Sequence, residues 1–339
     1  MSGLKPLSRL YEKMAGFKNY LYDKDYFQSL ELSVPVLSLG NLTMGGTGKT
    51  PLTDFCLKYF QRRKVKTAVV SRNYKAQVQD AAEVDLKHEN AAAYFGDEPV
   101  LLAERNPHVH FFVGPIKYET AVYAMEKQNP ALVVIDDGFQ HRKLHRDVDI
   151  VILDATESLA NYACVPVGRA REPWEALSRA TAFVITKVNL ASPKQMDALM
   201  EKLRPFGKLI VPMSYEIMRL HPLQGGPEKA LENMKNAKVL LISGIAQPSS
   251  FEKSLEKFSV QILKHESFRD HHPYTAADVA RLVEVWKSLG KPEIITTEKD
   301  FVKLKALWPK EVPLWYSPLE VKIQAEEDGF YEILDQVLH

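Results

Sequence analysis

"GNLTMGGTGKTP", Gly40 to Pro51, stands between an apolar run at 34–39 and a helical pattern at 51–60. Gly45, Gly46 and Gly48, with Thr47 among them, let backbone N–H groups turn inward. The start of a helix adds a dipole that favours anions. Lys49 is placed to reach the β- and γ-phosphates of a nucleotide, and the Thr50 hydroxyl to bind Mg²⁺. The stretch departs from G-x-x-x-x-G-K-[ST] at Thr43, where that pattern has glycine. A buried strand, a glycine turn and a helix opening with Lys-Thr predict a nucleotide cradle.

Outward from this loop, short β-rich runs at 34–39, 67–71, 109–113, 132–136, 148–153 and 183–186 alternate with helical patterns. Such alternation predicts an α/β fold, a phosphate-loop core with a mostly parallel sheet between helices. In these sheets ligands sit at the carboxyl ends of the strands. The glycine stretch, Ser71-Arg72, Asp136-Asp137 and Thr186-Lys187 all fall there. Prolines at 205, 212, 222 and 227 with Gly225-Gly226 break the pattern, and strand candidates at 239–243, 293–297 and 313–316 follow. The expected division is a helical segment over 1–30, a phosphate-loop domain over 31–210 and a smaller α/β domain over 211–339.

Several clusters carry possible chemistry. In "ALVVIDDGFQHRKLHRD", Asp136 caps an apolar strand as an Mg²⁺-binding aspartate would, and Asp137 follows it. His141 and His145 have metal-pair spacing but no implied third ligand. Asp97 and Glu98 of "GDEP" read either as a helix N-cap or as functional acids. Arg169 and Arg171, beside Glu172 in "VGRAREP", suit phosphate clamping or a solvated loop alike. "ITKVNL" places Thr186-Lys187 as a base-reading T-K pair, but Asn189 replaces the aspartate that accepts two hydrogen bonds from guanine, which disfavours guanine. His271 and His272 of "FRDHHPY" are structural, or catalytic if chemistry occurs between the domains.

Composition narrows the partners. Lys+Arg 44 against Asp+Glu 43, a formal charge of +1, gives no global excess for nucleic acid. Cys56 and Cys164 have neither zinc nor disulfide-framework spacing, which fits a reducing cytoplasm. The expectation is neither export nor a membrane span, since no apolar run approaches the roughly 20 residues needed. At about 100° per residue, Leu7, Leu10, Tyr11, Met14, Phe17 and Leu21 share one arc of a helical wheel, with Lys5, Arg9 and Lys13 opposite and Lys18 inside the arc. This basic amphipathic helix either packs on its own domain or lies on anionic lipid.

Taken in order, "GNLTMGGTGKTP", "SRNY", "GDEP", "DDGFQHRKLHRD", "GRAREP", "TK", "FRDHHPY" and "TTEKDFVKL" resemble the tetraacyldisaccharide 4'-kinases, the lipid A 4'-kinases of Gram-negative bacteria. The ordered motifs span about residues 36–304. The resemblance implies ATP- and Mg²⁺-dependent phosphorylation of the 4'-hydroxyl of a tetraacylated glucosamine disaccharide 1-phosphate, giving lipid IVA at the cytoplasmic face of the inner membrane. It implies a peripheral protein whose N-terminal helix meets the anionic membrane surface. It assigns activation of the acceptor hydroxyl to Asp97 and His271, with the smaller domain closing over the site. Asp137, His141, Arg171 and Glu172 are further candidates for substrate or metal contact. Two departures are Asn73 and Lys75, where the family usually has glycine, and Arg169-Ala170 in place of Pro-Leu; both bear on loop geometry. A nucleotide switch would need the amphipathic helix alone, and a soluble small-molecule kinase the Asp97/His271 pair alone. Nothing in the sequence specifies an oligomeric state.

Overall fold

The computed structural model describes residues 4–74 and 76–338. Lys75, one of the two departures in the "SRNY" segment, lies outside them. In chain order the strands are β1 (Val36–Asn41), β2 (Thr67–Arg72), β3 (Ala82–Glu83), β4 (His110–Gly114), β5 (Leu132–Asp136), β6 (Val148–Asp154), β7 (Ala182–Thr186), β8 (Leu209–Glu216), β9 (Arg219–Pro222), β10 (Lys229–Ala230), β11 (Lys238–Ser243), β12 (Gln261–Ser267), β13 (Glu293–Thr297), β14 (Trp315–Ser317) and β15 (Glu320–Ile323). The helices are α1 (Lys5–Asp23), α2 (Lys49–Arg62), α3 (Ala91–Phe95), α4 (Asp97–Arg105), α5 (Lys117–Gln128), α6 (Pro193–Leu203), α7 (Pro248–Glu256), α8 (Ala276–Ser288), α9 (Glu298–Leu304) and α10 (Glu327–Gln336).

Nine strands form one sheet in the order β15-β8-β7-β6-β1-β5-β2-β4-β3. The seven inner strands run parallel, and the two edges, β15 and β3, are antiparallel. The fold is therefore α/β with a mostly parallel sheet, as the alternation predicts. Strands β1, β5, β6 and β7 are buried along their whole length, because helices cover both faces. One face packs Leu37, Leu39, Val134 and Ile150 against Leu52, Cys56 and Phe60 of α2 and Phe330 and Leu334 of α10. The second sheet runs β10-β9-β14-β13-β11-β12, with its own core around Leu240, Leu282, Ile294 and Trp308.

The structure differs from the expected division in two respects. The 210/211 boundary falls inside β8, which continues the first sheet to Glu216. The chain also returns: β15 pairs with β8, and α10 packs on the first core. Prolines concealed β8, yet Pro212 still contributes its carbonyl, which accepts from Gln324 N at 2.9 Å. The return of the C-terminus is a contact of about a hundred residues' separation, which local pattern does not encode. It braces the phosphate helix, for the Asp335 carboxylate receives Tyr59 Oη at 2.6 Å and Arg63 Nε and Nη2 at 2.9 and 2.7 Å.

Helix α1 contains no β-branched residue, and Pro6 lies in its first turn, where a missing N–H costs nothing. It docks through a polar seam. Ser8 Oγ donates to Cys164 O at 2.6 Å, Tyr11 Oη to Arg171 O at 3.0 Å and Asn19 Nδ2 to Glu172 Oε2 at 2.9 Å. Leu7, Leu10, Met14 and Phe17 consequently face outward, each more than half exposed.

Candidate active site

The rim at the carboxyl ends of β1, β2, β5 and β7 gathers the predicted clusters. Gly45 and Gly48 have φ of 121° and 88°, a region costly to any residue with a Cβ. At Gly48 a Cβ would also lie 2.2 Å from Tyr215 Cε2 of β8, whose hydroxyl donates to Gly48 O at 2.6 Å. Thr186 Oγ1 donates to Thr47 O at 2.7 Å, and Lys187 Nζ to Gly46 O at 2.8 Å and to the buried Asp154 carboxylate at 2.5 Å. The T-K pair thus supports the loop from below by its carbonyls, while within the loop Thr47 N donates to Gly45 O at 3.0 Å. Asn189 is engaged by β8: its Nδ2 donates to Tyr215 O at 3.1 Å, and its Oδ1 accepts from Tyr215 N at 3.4 Å.

Lys49 opens α2, its ammonium 3.1 Å from Asn41 Oδ1 and 3.6 Å from Asp137 Oδ1. Thr50 follows in the first turn. Asp136 ends β5 and is buried, with Ser71 Oγ 3.4 Å from its carboxylate. Burial pushes its carboxyl up to about 6, against the pull of Lys49. Asp137 takes a left-handed backbone (φ 56°) and turns its carboxylate to Arg171, which binds it through both terminal nitrogens at 2.7 and 2.6 Å. Burial alone would raise Asp137, but Lys49 and Arg171 hold it well below the usual carboxylate range.

Lys117 was not legible as a site residue. It is buried at the start of α5, and its ammonium donates to the carbonyls of Asp136 and Asp137 at 2.5 Å each, fixing the turn between the acids. Burial lowers it to about 8. Its sequence surroundings, "PIKYET", carry no motif. His141 lies close by, and burial together with Lys117 depresses it to about 3, so its ring is neutral. Glu172 is not brought to this cluster. It is 5% exposed and receives Arg179 at 2.6 Å as well as Asn19 of α1.

A second cluster forms where the two sheets' units meet. Gly96 (φ 100°) turns the chain into α4, whose first residue is Asp97. His271, also left-handed at φ 59°, places Nδ1 2.9 Å from Asp97 Oδ2 and 3.1 Å from Oδ1. Burial would raise Asp97, but the hydrogen bond from His271 and the ammoniums of Lys299 and Lys303 bring it down to about 2. Arg105–Glu298 and Lys305–Glu104 continue the contact of α4 with α9 and its following residue. This cluster adjoins the phosphate loop by a short route. His271 N donates to Gly244 O, Ala246 lies beside Gly46, Gln247 accepts from Lys187, and the charge of Glu98 reaches Asp136.

The donor set fits one Mg²⁺: a hydroxyl at Thr50 and a carboxylate at Asp136 whose proton affinity burial raises. Among the described residues no group of three or more His, Cys, Asp or Glu side chains is arranged to hold a metal ion by itself. A cation here would complete its shell with nucleotide oxygens.

A family model described as tetraacyldisaccharide-1-P 4'-kinase matches residues 2–339. The tetraacyldisaccharide 4'-kinase of Bdellovibrio bacteriovorus is 46% identical over 335 residues, covering 99% of this chain and 98% of that one. Its counterpart in Chlorobaculum parvum is 36% identical over 312 residues, covering 89% and 83%. Among solved structures, LpxK from Aquifex aeolicus, crystallised in complex with ATP, superposes with a TM-score of 0.77 at 29% identity, covering 100% of this chain and 99% of that one.

Proposed function

The chain belongs to the tetraacyldisaccharide-1-phosphate 4'-kinase family, and from that premise we propose how its own residues carry out ATP-dependent phosphorylation of the 4'-hydroxyl in lipid A biosynthesis. The γ-phosphoryl group passes through a loose transition state, so positioning and charge neutralisation dominate. The backbone of residues 45–48 and the Lys49 ammonium hold the phosphates, with Thr186 and Lys187 supporting the loop. Thr50 and Asp136 would hold Mg²⁺, which would neutralise phosphate charge.

Asp97 accepts the proton of the sugar 4'-hydroxyl as the new O–P bond forms and the bond to the β-phosphate oxygen breaks, its electron pair leaving with ADP. His271 orients that carboxylate. The observation that carries this reading is the 2.9 Å contact of His271 Nδ1 with Asp97 Oδ2, between units that share no sheet. His271 comes from the smaller unit, so closure of that unit would assemble the base and exclude water, suppressing idle hydrolysis. Arg171 and Asp137 form the wall beside the phosphates, and the neutral His141 ring lies beyond them.

The substrate is a membrane lipid, and the outward apolar row of α1, flanked by Lys5, Arg9 and Lys13, supports a protein lying on the anionic cytoplasmic face of the inner membrane. Among the described residues no helix is long and apolar enough to cross a membrane. Label transfer from γ-labelled ATP to a lipid-phase disaccharide 1-phosphate tests the reading, with free phosphate release measured alongside. Asp97→Ala and His271→Ala should each lose about 10²–10⁴-fold in transfer while keeping ATP affinity. Near-normal transfer by Asp97→Ala, or phosphate release with no lipid labelling by the unaltered protein, would refute it.

A further inference from the structure

The base proposed above has a third member that the sequence does not single out. Lys299, the second residue of α9, places Nζ 3.0 Å from His271 Nε2, on the side of the ring away from Asp97. The same ammonium lies 3.1 Å from Glu98 Oε1 and 3.6 Å from Asp270 Oδ1. It is largely buried, at 18% exposure.

We propose that Lys299 is a positioning residue that fixes the tautomer and the neutral charge of His271, and through it the basicity of Asp97; this rests on the assignment of Asp97 as base. A lysine ammonium has three donors and no lone pair. Its contact with Nε2 is therefore a bond donated to the ring, so Nε2 carries no proton. The single ring proton stands on Nδ1, directed at Asp97. The alternative of a neutral lysine beside an imidazolium is disfavoured by the surroundings. Glu98, Asp97 and Asp270 raise Lys299 despite its burial.

The charged groups facing the ring come from three elements. Asp97 and Glu98 start α4, Asp270 precedes His271 in its own loop, and Lys299 and Lys303 lie on α9. The uncharged ring of Tyr74 meets His271 edge-on at 5.9 Å. Lys299 is the ammonium that reaches the ring itself, and while it occupies Nε2 that nitrogen carries no proton. Removing that ammonium frees Nε2 to carry a proton towards Asp270 Oδ2, 3.8 Å away. An imidazolium would hold Asp97 as a tight ion pair and weaken it as an acceptor for the hydroxyl proton.

The test uses the full chain with a tetraacyldisaccharide 1-phosphate acceptor in mixed micelles. Nitrogen-15 NMR of the histidine-labelled protein, assigned by loss of signal in His271→Asn, should show Nδ1 protonated and Nε2 unprotonated. A protonated Nε2 at neutral pH would overturn the inference. In Lys299→Met the acid limb of kcat/KM should move up by about one pH unit, giving roughly a tenfold loss at pH 6 that recovers as pH rises. Lys299→Arg, which keeps a donor cation, should restore the wild-type limb, and it decides the matter should the methionine variant fail to fold. A loss of the same factor at every pH would make Lys299 merely structural and end the proposal. If Asp97→Ala is inactive while Lys299→Met titrates like wild type, only this inference falls; if Asp97→Ala turns over normally, the underlying assignment falls and takes it along.

Discussion

Arg171 binds Asp137 fork to fork, with two N–H···O contacts of 2.7 and 2.6 Å, while the same guanidinium donates to Asn41 Oδ1 at 2.6 Å and Asn41 O at 3.0 Å. One planar group therefore ties the end of β5 to the end of β1, the two strands that present Asp136 and the phosphate loop. A lysine carries the charge but not the fork.

Arg171→Lys should thus retain ATP binding within a few-fold while losing about tenfold or more in phosphoryl transfer. Arg171→Ala should additionally lower stability by roughly 1–3 kcal/mol, since it removes both charge-assisted bonds to Asp137 and leaves Lys49 as the cation beside Asp137 and Asn41. Calorimetric ATP titration and thermal unfolding check the two parts. Wild-type transfer by Arg171→Lys would show that the fork has no role.

Gly48→Ala forces a Cβ onto the Tyr215 ring at a backbone angle suited to glycine. ATP affinity should fall at least a hundredfold. Tyr215→Phe removes only the hydroxyl that donates to Gly48 O, so it should cost about 0.5–1.5 kcal/mol of stability and little affinity. Wild-type ATP affinity in Gly48→Ala would exclude close backbone approach to the phosphates.

Asp136 gives the pH dependence. Its carboxyl is raised to about 6 from 3.8. Folding therefore binds a proton between those values, and the unliganded protein gains stability as pH falls through 6 towards 4, by at most about 3 kcal/mol from this group. In the proposed site Mg²⁺-ATP would bind the ionised form, so its affinity should move the opposite way, weakening by about tenfold per pH unit below 6. Asn at 136 should abolish that slope. Asp97, lowered to about 2, contributes stability present above its unfolded pKa and lost as pH falls through 2, outside this window.

Helix α1 docks through one row of side chains and exposes another, the row proposed above to meet lipid. Leu10→Glu with Phe17→Glu changes side chains that are 56% and 62% exposed, so thermal stability should shift by less than about 0.5 kcal/mol. Binding to anionic vesicles should fall more than tenfold, as each side chain loses on the order of 1–2 kcal/mol of apolar burial. Asn19→Leu should do the reverse, loosening the seam to Glu172 while leaving the outer row intact. Unchanged vesicle binding in the double glutamate variant would remove the outer row as the lipid contact.

The local pattern of the chain determined the alternation of strands and helices, the glycine turn before α2, and the acids at the end of β5, because each depends on neighbours a few residues away. Asp97 and His271 were identifiable only through family motifs, since they stand 174 positions apart with no periodic signal that joins them. Tertiary structure alone decided that Lys117 lies beneath the acid pair, that Glu172 serves the α1 seam, that Lys299 meets His271, and that β15 and α10 return to the first sheet. It also set the left-handed backbones of Asp137, Lys187 and His271, a conformation that composition flags only for glycine and asparagine. Charges and strained turns acquire their partners from the packing of distant segments, and that packing is a property of the whole core.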